Sequence, residues 1–266
     1  MKECKPKGFK IHPIKQQMEY YKPPRELPEP FNQLTDKGGG VCLVLGPPGS
    51  GKSVYVNNLI LSDECMRDIF HGGTYGISPT INDDLSSVYL KEYLDFIEDE
   101  YSEPLMKGIV KNIQSCPPED RHLSLILLDD CLDAFKGHRD YIGKATSICR
   151  HLKTIFIFSL QRLKGVPASM RANTTLAVIY YIPSDKELKA VAEYCSFLGG
   201  ERNFLEKYKQ ATSVRYGCLL CDFRGFKMYR HGADLNQPEL IWQMYLDSGE
   251  AANGKLDLNP GQIKGD

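Results

Sequence analysis

One short stretch of the sequence has the residue types and spacing of a phosphate-binding loop. It matches the P-loop pattern GxxxxGK(S/T) at every defined position, and it reads Gly46, Pro47, Pro48, Gly49, Ser50, Gly51, Lys52, Ser53. Glycines let backbone N–H groups turn toward phosphate oxygens, and a helix that begins here points its positive end at the same anion. The pattern predicts that Lys52 reaches the β- and γ-phosphates of ATP and that Ser53 ligates Mg²⁺.

A second stretch supplies carboxylates where a metal-dependent phosphate site needs them. The apolar residues 125–128 are followed directly by Asp129 and Asp130. We interpret Asp129 as the Mg²⁺ acid, acting partly through water, and Asp130 as the group that orients or deprotonates the attacking water. Adjacent residues of a strand point to opposite sides, which suits two separate roles.

A polar side chain also ends the next apolar stretch, residues 154–160. About eighty residues separate the P-loop from the paired aspartates, which leaves room for an additional strand and helix. Such an insertion is typical of the P-loop branch that hydrolyses ATP with a strand-borne catalytic acid and a polar sensor on the next strand. Gln161, with Ser159 as second choice, is therefore predicted to contact the γ-phosphate or its water. The sequence contains no Asn-Lys-x-Asp motif for guanine, which favours ATP over GTP.

The elements that must position these residues alternate between strand and helix. Continuous apolar strands separated by helices predict an α/β fold with a central, mostly parallel sheet and helices on both faces. The predicted strands of this sheet are 41–45, 74–77, 123–128, 154–160 and 174–182, and the predicted helices are 53–61, 88–100 and 185–198. Arg224-Gly225 separates two further strands, 216–223 and 226–229, and predicts a C-terminal β-hairpin. The fold class is that of a P-loop NTPase with an additional strand and a strand-borne acid.

Composition excludes several classes of protein. With 266 residues, 42% apolar residues and a net charge of −1, the chain is not a disordered polyelectrolyte. No apolar run approaches the ~18–20 residues of a membrane span. Nine cysteines without a framework of spacings indicate reduced thiols and a reducing compartment. The net charge of the whole chain is near zero because two segments of opposite charge offset each other: residues 81–103 have a net charge of −7 and residues 134–171 a net charge of +7. The near-zero total therefore does not exclude a nucleic-acid partner.

The sequence divides into three parts. Residues 1–37 are rich in proline and carry eight Lys and Arg against five acids, which predicts an extended arm. This arm is either a solvated tail or a partner-binding segment. Residues 38–246 form the predicted ATPase domain, and the Gly-rich residues 247–266 are expected to be a flexible tail.

Taken in order, these motifs resemble the FtsK–HerA superfamily. The resemblance rests on GPPGSGKS, on LILLDD, on the stretch from Arg150 to Gln161, and on Met170-Arg171-Ala172-Asn173-Thr174. Within the superfamily, the sequence is most similar to the genome-packaging ATPases of poxviruses, large double-stranded DNA viruses, virophages and Polinton-like elements. The similarity covers about residues 38–232, and so leaves out the arm and the tail.

The resemblance implies a ring of identical subunits that moves double-stranded DNA into a preformed capsid. ATP would lie between neighbouring subunits, and an arginine of one subunit would complete the site of the next. Arg150 best matches the family position for that arginine, and Arg171 is the second candidate; either could instead form an ordinary salt bridge. Capsid or portal-vertex proteins are the implied partners. The implied location is the host cytoplasm, a virus factory or the virion.

Cationic residues directly after the acid strand are the candidates for DNA contact. Lys136, Arg139 and Lys144 follow Asp130 in a segment punctuated by glycine, so the nucleotide state could move them. Contacts to DNA phosphates need only Lys or Arg and read no base sequence. A solvated helix face is an equal interpretation of these three residues.

Two other functions remain open from the sequence. A P-loop kinase of a small molecule would need an acceptor pocket and a mobile lid that carries arginine, for which Arg121, Arg139 and Arg162 are available. The strand-borne acids and Gln161 argue against it. A nucleotide-gated binding module without turnover is the third hypothesis, and the complete set of hydrolytic residues argues against that one.

Overall fold

The computed structural model describes residues 26–81, 88–131 and 139–244. In these ranges the strands are β1 Gly40–Leu45, β2 Thr74–Ile77, β3 Phe96–Glu98, β4 Ser124–Asp129, β5 Thr154–Leu160, β6 Leu176–Tyr180, β7 Cys218–Asp222, β8 Lys227–His231 and β9 Glu239–Gln243. The helices are α1 Lys52–Leu61, α2 Val88–Tyr93, α3 Glu103–Ser115, α4 Arg139–Ser147, α5 Cys149–Leu152, α6 Ala168–Ala172, α7 Asp185–Tyr194 and α8 Glu201–Ala211.

All the described strands form one sheet, in the order β3-β2-β4-β5-β1-β6-β7-β8-β9. The first six of these run parallel, as their continuous apolar sequences predict. The P-loop strand β1 lies between β5 and β6, and the acid strand β4 lies on the far side of β5. The carboxyl ends of β1, β4 and β5 therefore meet at one edge of the sheet, where open α/β sheets bind ligands.

Helices cover both faces of the sheet, and the alternation of side chains along β1 shows how. One face of the sheet packs against α3 to α8, and this core includes Val41, Leu43 and Leu45. The other face packs against α1 and α2, and this core includes Cys42 and Val44. All five side chains are fully buried. The predicted three-layer α/β arrangement is confirmed.

The C-terminal strands continue the sheet in antiparallel order. The predicted hairpin is present as β7 and β8, and β9 pairs with β8 as a further strand that the sequence did not indicate. β7 pairs antiparallel with β6, which joins the hairpin to the parallel part of the sheet. This arrangement brings the segment before β7 and the loop after β8 close to the P-loop edge.

The helix predicted over residues 88–100 is wrong in its second half. Helix α2 ends at Tyr93, and Phe96–Glu98 form the edge strand β3, parallel to β2. The Asp95 carboxylate accepts hydrogen bonds from the backbone N–H and the hydroxyl of Thr74, at 2.8 and 2.9 Å. Residues 96–98 pair with the edge of β2 and are held there by the Asp95–Thr74 hydrogen bonds. These tertiary contacts outweigh the local pattern that predicted a helix. The helix predicted over 185–198 also ends early, at Tyr194.

The last part of the predicted N-terminal arm packs against the sheet. Leu27, Phe31 and Leu34 are buried in the core on the α1 side. The Arg224 guanidinium donates to the carbonyls of Gln33 and Gly39 and fastens this segment to the β7–β8 turn. Residues 1–25 and the tail predicted at 247–266 lie outside the described residues. None of the described helices has the length and apolarity needed to cross a bilayer.

Candidate functional site

The P-loop joins the end of β1 to the start of α1, as its pattern predicts. Gly49 and Gly51 have φ angles of +73° and +101°, a left-handed backbone that favours glycine. The Gly46 N–H donates to the Leu160 carbonyl at 3.1 Å and ties the loop to the end of β5. The first residues of α1 therefore direct their free N–H groups into the loop, where an anion is stabilised.

Lys52 is the first residue of α1 and turns back into the loop. Its ammonium group donates to the Pro47 carbonyl at 3.1 Å. Burial lowers the pKa of Lys52, while the negative charges of Asp129 and Asp130 oppose that shift. The side chain is thus a cation held between the loop and both acids, where phosphate oxygens would replace the carbonyl.

Asp129 ends β4 and is half-buried. Its carboxylate accepts a hydrogen bond from the Ser78 hydroxyl at 3.3 Å. Burial raises the pKa of Asp129, and the nearby hydroxyls of Ser159 and Ser78 oppose that shift. Ser78 follows the end of β2, and a polar residue at a strand end was the signal by which sequence reasoning could have found it.

Ser53 and Asp129 face the same small cavity. This cavity, of about 10 Å³, also includes Ser78 in its lining. A serine hydroxyl beside a carboxylate at a P-loop is an oxygen donor set that suits Mg²⁺, which keeps several waters and binds few protein groups. The residues present therefore fit the ion that the P-loop pattern implies.

Asp130 and Gln161 form the exposed half of the site. Asp130 has a φ of +52°, a left-handed backbone that ends the extended strand, and its N–H donates to the Ser159 carbonyl at 2.9 Å. The Gln161 amide donates to both Asp130 carboxylate oxygens at 2.9 Å each. Asp129 and Asp130 thus occupy different surroundings, one half-buried beside Ser53 and one exposed beside Gln161.

The two candidate arginines lie away from the P-loop of their own chain. Arg150 is exposed on α5, which precedes the amino end of β5, and Arg171 is half-buried on α6, which precedes the amino end of β6. The seven residues of β5 separate the two edges of the sheet by about 20 Å. Neither arginine therefore joins the P-loop, Asp129 and Asp130 within one subunit.

The candidate DNA contacts are only partly within the described residues. Lys136 lies outside them, Arg139 is the first residue of α4, and Lys144 is exposed on that helix. Helix α4 packs closely on α6, because a methyl group at Gly143 would overlap the Ser169 hydroxyl. The helix that carries Lys144 is thus fixed to the body of the domain.

Sequence reasoning missed a large cavity beside the P-loop. It measures about 760 Å³ and is bounded by the P-loop, α1, Tyr216 and the loop after β8. Its walls come from segments that are distant in sequence. No local motif marked them.

The phosphate loop, the acids on β4 and the polar end of β5 lie at one edge of a sheet with an additional strand between β1 and β4. This arrangement defines a P-loop ATPase of the strand-borne-acid type. Within that class, the chain belongs to the poxvirus A32 family, because the profile described as "Poxvirus A32 protein" matches residues 32–215.

Comparisons with curated proteins and with solved structures also found similar chains. Uncharacterized protein 075L of Invertebrate iridescent virus 6 is 26% identical over 208 residues, which are 75% of this chain and 74% of that protein. B204, the DNA-packaging ATPase from Sulfolobus Turreted Icosahedral Virus, has a similar fold, with a TM-score of 0.55 and 16% identity over 72% of this chain and 96% of B204. The B204 NTPase of Sulfolobus turreted icosahedral virus 2, solved with ATP-γ-S, has a TM-score of 0.54 and 18% identity over 74% of this chain and 98% of that protein.

Proposed function

We propose that this protein is an ATP-hydrolysing motor that moves double-stranded DNA into a viral capsid as a ring of identical subunits. The observation that carries the proposal is the meeting of Lys52, Asp129, Asp130 and Gln161 at one sheet edge. Membership of the poxvirus A32 family and the fold shared with a DNA-packaging ATPase support it.

The residues of the site divide the work of ATP hydrolysis. The P-loop N–H groups and Lys52 bind the β- and γ-phosphates, and Ser53 with Asp129 would hold Mg²⁺, which withdraws charge from the phosphate oxygens. Asp130 accepts a proton from the water whose oxygen bonds to the γ-phosphorus as the bond to the bridging oxygen breaks. Gln161 orients that water or the γ-phosphate.

Completion of the site by a neighbouring subunit explains why a ring is part of the proposal. Arg150 and Arg171 lie at the opposite sheet edge from their own P-loop, so either of these two candidates can reach phosphate only from another chain. Such a contact stabilises charge on the transferring phosphoryl group and makes hydrolysis depend on the neighbour. Capsid or portal-vertex proteins are the proposed partners of the ring.

Contact with DNA is proposed for the segment that follows the acid strand. Lys136, Arg139 and Lys144 come after Asp130 along the chain, so a change at the γ-phosphate has a short path to them. A ring would turn these three cations toward its channel, where low-dielectric walls concentrate the field.

ATPase activity measured with and without double-stranded DNA tests the proposal. Full-length protein, fractionated by size, should hydrolyse ATP faster with DNA, and the stimulation should fall steeply with salt because the contacts are to phosphates. The Lys52→Ala variant is the matched control for contaminating activity. Unchanged ATPase activity with DNA, together with phosphoryl transfer to a metabolite, would replace this proposal with the small-molecule kinase.

A further inference from the structure

Gln161 lies in a short span of backbone that is fixed at both ends. On one side, the Leu160 carbonyl accepts the hydrogen bond from the Gly46 N–H of the P-loop, at 3.1 Å. On the other side, the Leu163 N–H donates to the carboxylate of Glu187, a residue of α7. Only two residues of the chain separate these two contacts. The path of the backbone at Gln161 therefore depends on both of them.

The Glu187 carboxylate binds two consecutive backbone groups of the loop between β5 and α6. One oxygen, Oε1, accepts from the N–H of Leu163 and, at 3.1 Å, from the N–H of Lys164. Hydrogen bonds to an ionised carboxylate are about twice as strong as bonds between neutral groups. The Leu163 side chain is buried in the core, and the Val166 N–H donates to the Leu163 carbonyl at 3.1 Å. Glu187 thus secures the loop at a point that the core also holds.

The local sequence around Glu187 is typical of a different use of its side chain. Ser184 is the N-cap of α7, and its hydroxyl accepts from the Glu187 N–H at 3.4 Å. In a capping box with this Ser-x-x-Glu spacing, the glutamate carboxylate returns to the N–H of the capping serine. In the structure, the carboxylate meets backbone 23 and 24 residues earlier in the chain. The glutamate of α7 therefore serves the loop that carries Gln161.

The contact between Gln161 and Asp130 is sensitive to where the backbone of Gln161 lies. The glutamine is exposed, so packing does not fix its side chain. Its amide nevertheless donates to both oxygens of Asp130, at 2.9 Å each, and a donor that meets both oxygens has little freedom to move. Misplacement of a catalytic group by about 1 Å can reduce a rate about 10²-fold. A residue that fixes the backbone beside Gln161 can therefore affect hydrolysis with no contact of its own to the phosphates.

We propose that Glu187 is a positioning residue for ATP hydrolysis, which holds the loop after β5 so that the Gln161 amide meets Asp130. The inference rests on the role proposed for Gln161 and adds the residue of α7 on which that role depends. Glu187 acts on the rate of the chemical step and leaves the P-loop and Lys52 unchanged. Its loss should therefore lower kcat and preserve the affinity for ATP.

A double-mutant cycle with Gln161 tests the proposal on the full chain. Basal ATPase activity, without DNA, is compared among wild type, Glu187→Ala, Gln161→Ala and the double variant. We expect Glu187→Ala to lower kcat about 10- to 100-fold, with the Kd for ATP within about threefold of wild type. In the Gln161→Ala background, the same substitution should change kcat less than about twofold, because the effects of residues that act through one another are not additive.

Further variants separate the contact to the loop from the stability of α7. Glu187→Gln keeps an oxygen acceptor on a side chain of the same length and should retain kcat within about threefold of wild type. Ser184→Ala removes the N-cap hydroxyl of the same helix, so it should lower Tm with little change in kcat. If Glu187→Ala does not fold, Glu187→Asp, whose carboxylate is one methylene shorter, takes its place in the cycle.

Several results would overturn the positioning role of Glu187. They are wild-type kcat in Glu187→Ala, an equal loss of kcat in both backgrounds of the cycle, and a loss in Glu187→Gln as large as that in Glu187→Ala. A loss of kcat in Ser184→Ala that matches the loss in Glu187→Ala would also overturn it. Because the cycle uses basal activity, an ATPase rate that does not respond to DNA would contradict the proposed motor and leave the result for Glu187 intact.

Discussion

The Gln161 amide donates to both carboxylate oxygens of Asp130, at 2.9 Å each. The two residues directly follow the ends of neighbouring strands, since β4 and β5 pair in parallel and Asp129 is level with Ser159. The bond orients the carboxylate that is proposed to receive the proton of the attacking water. It also keeps Gln161 within reach of the γ-phosphate.

Loss of this amide should slow hydrolysis without weakening nucleotide binding. We expect Gln161→Ala to lower kcat about 10²-fold, the usual effect of removing one positioned donor, with the Kd for ATP within about threefold of wild type. Lys164→Ala, an exposed position three residues further along, is the matched control and should keep full turnover. A Gln161→Ala enzyme with wild-type kcat would contradict the assigned role.

Substitution of Lys52 should impair nucleotide binding, whereas substitution of Asp130 should impair turnover and leave binding intact. Lys52→Ala removes the cation that contacts the loop and should abolish ATP binding, whereas Asp130→Asn should bind ATP normally and lose at least ~10²-fold in kcat. Asparagine tolerates the left-handed backbone of residue 130 as well as aspartate does, so the backbone is preserved. Equilibrium binding and single-turnover assays measure the two effects, and full turnover by Asp130→Asn would disprove the role of Asp130 as proton acceptor.

Asp129 should impose a pH dependence on stability that its amide variant lacks. Burial raises the pKa of this carboxyl in the folded protein, so the folded state binds its proton more tightly than the unfolded state. Stability therefore falls as pH rises from the ordinary aspartate range through the raised pKa. We expect Asp129→Asn to raise Tm at neutral pH by about 2–4 °C, as ~1 kcal/mol does in a domain of this size.

The difference in Tm between Asp129→Asn and wild type should vanish when both are melted in acid, below the ordinary pKa of an aspartate. Melting curves without nucleotide or Mg²⁺ over a pH series measure it. A Tm difference that is constant with pH would show that the substitution acts through packing and that the ionisation of Asp129 is not its cause.

Mixing two inactive variants tests whether an arginine of one subunit completes the ATP site of its neighbour. Arg150→Ala keeps its P-loop, and Lys52→Ala keeps its arginine, so random assembly of equal amounts should give about one quarter complete sites. We expect each variant alone to be inactive and the mixture to regain measurable ATPase activity. Absence of activity in a mixed assembly shown to contain both variants would exclude Arg150, and the same experiment with Arg171→Ala would then test the second candidate.

The chemistry of the phosphate site could be predicted because its signals are local. A P-loop must lie between a strand and a helix, and the acids that follow an apolar strand must emerge at its carboxyl end. Gly46 to Ser53, Asp129, Asp130 and Gln161 could therefore be placed on their elements from spacing alone, and the structure brings them to one edge. The helix predicted over residues 88–100 rested on an equally local pattern, yet it was wrong in its second half, because pairing with β2 decided the conformation of residues 96–98.

By itself, the sequence determined the α/β class, the anion-binding loop and the order of the hydrolytic residues, since each depends on contacts within a strand–loop–helix unit. Only the tertiary structure decided that Gln161 holds Asp130, that Ser78 reaches Asp129, and that Arg150 lies at the far edge of the sheet. It alone assembled the cavity from α1, Tyr216 and His231, which are up to 180 residues apart. Such contacts follow from strand order and packing, which no short motif encodes.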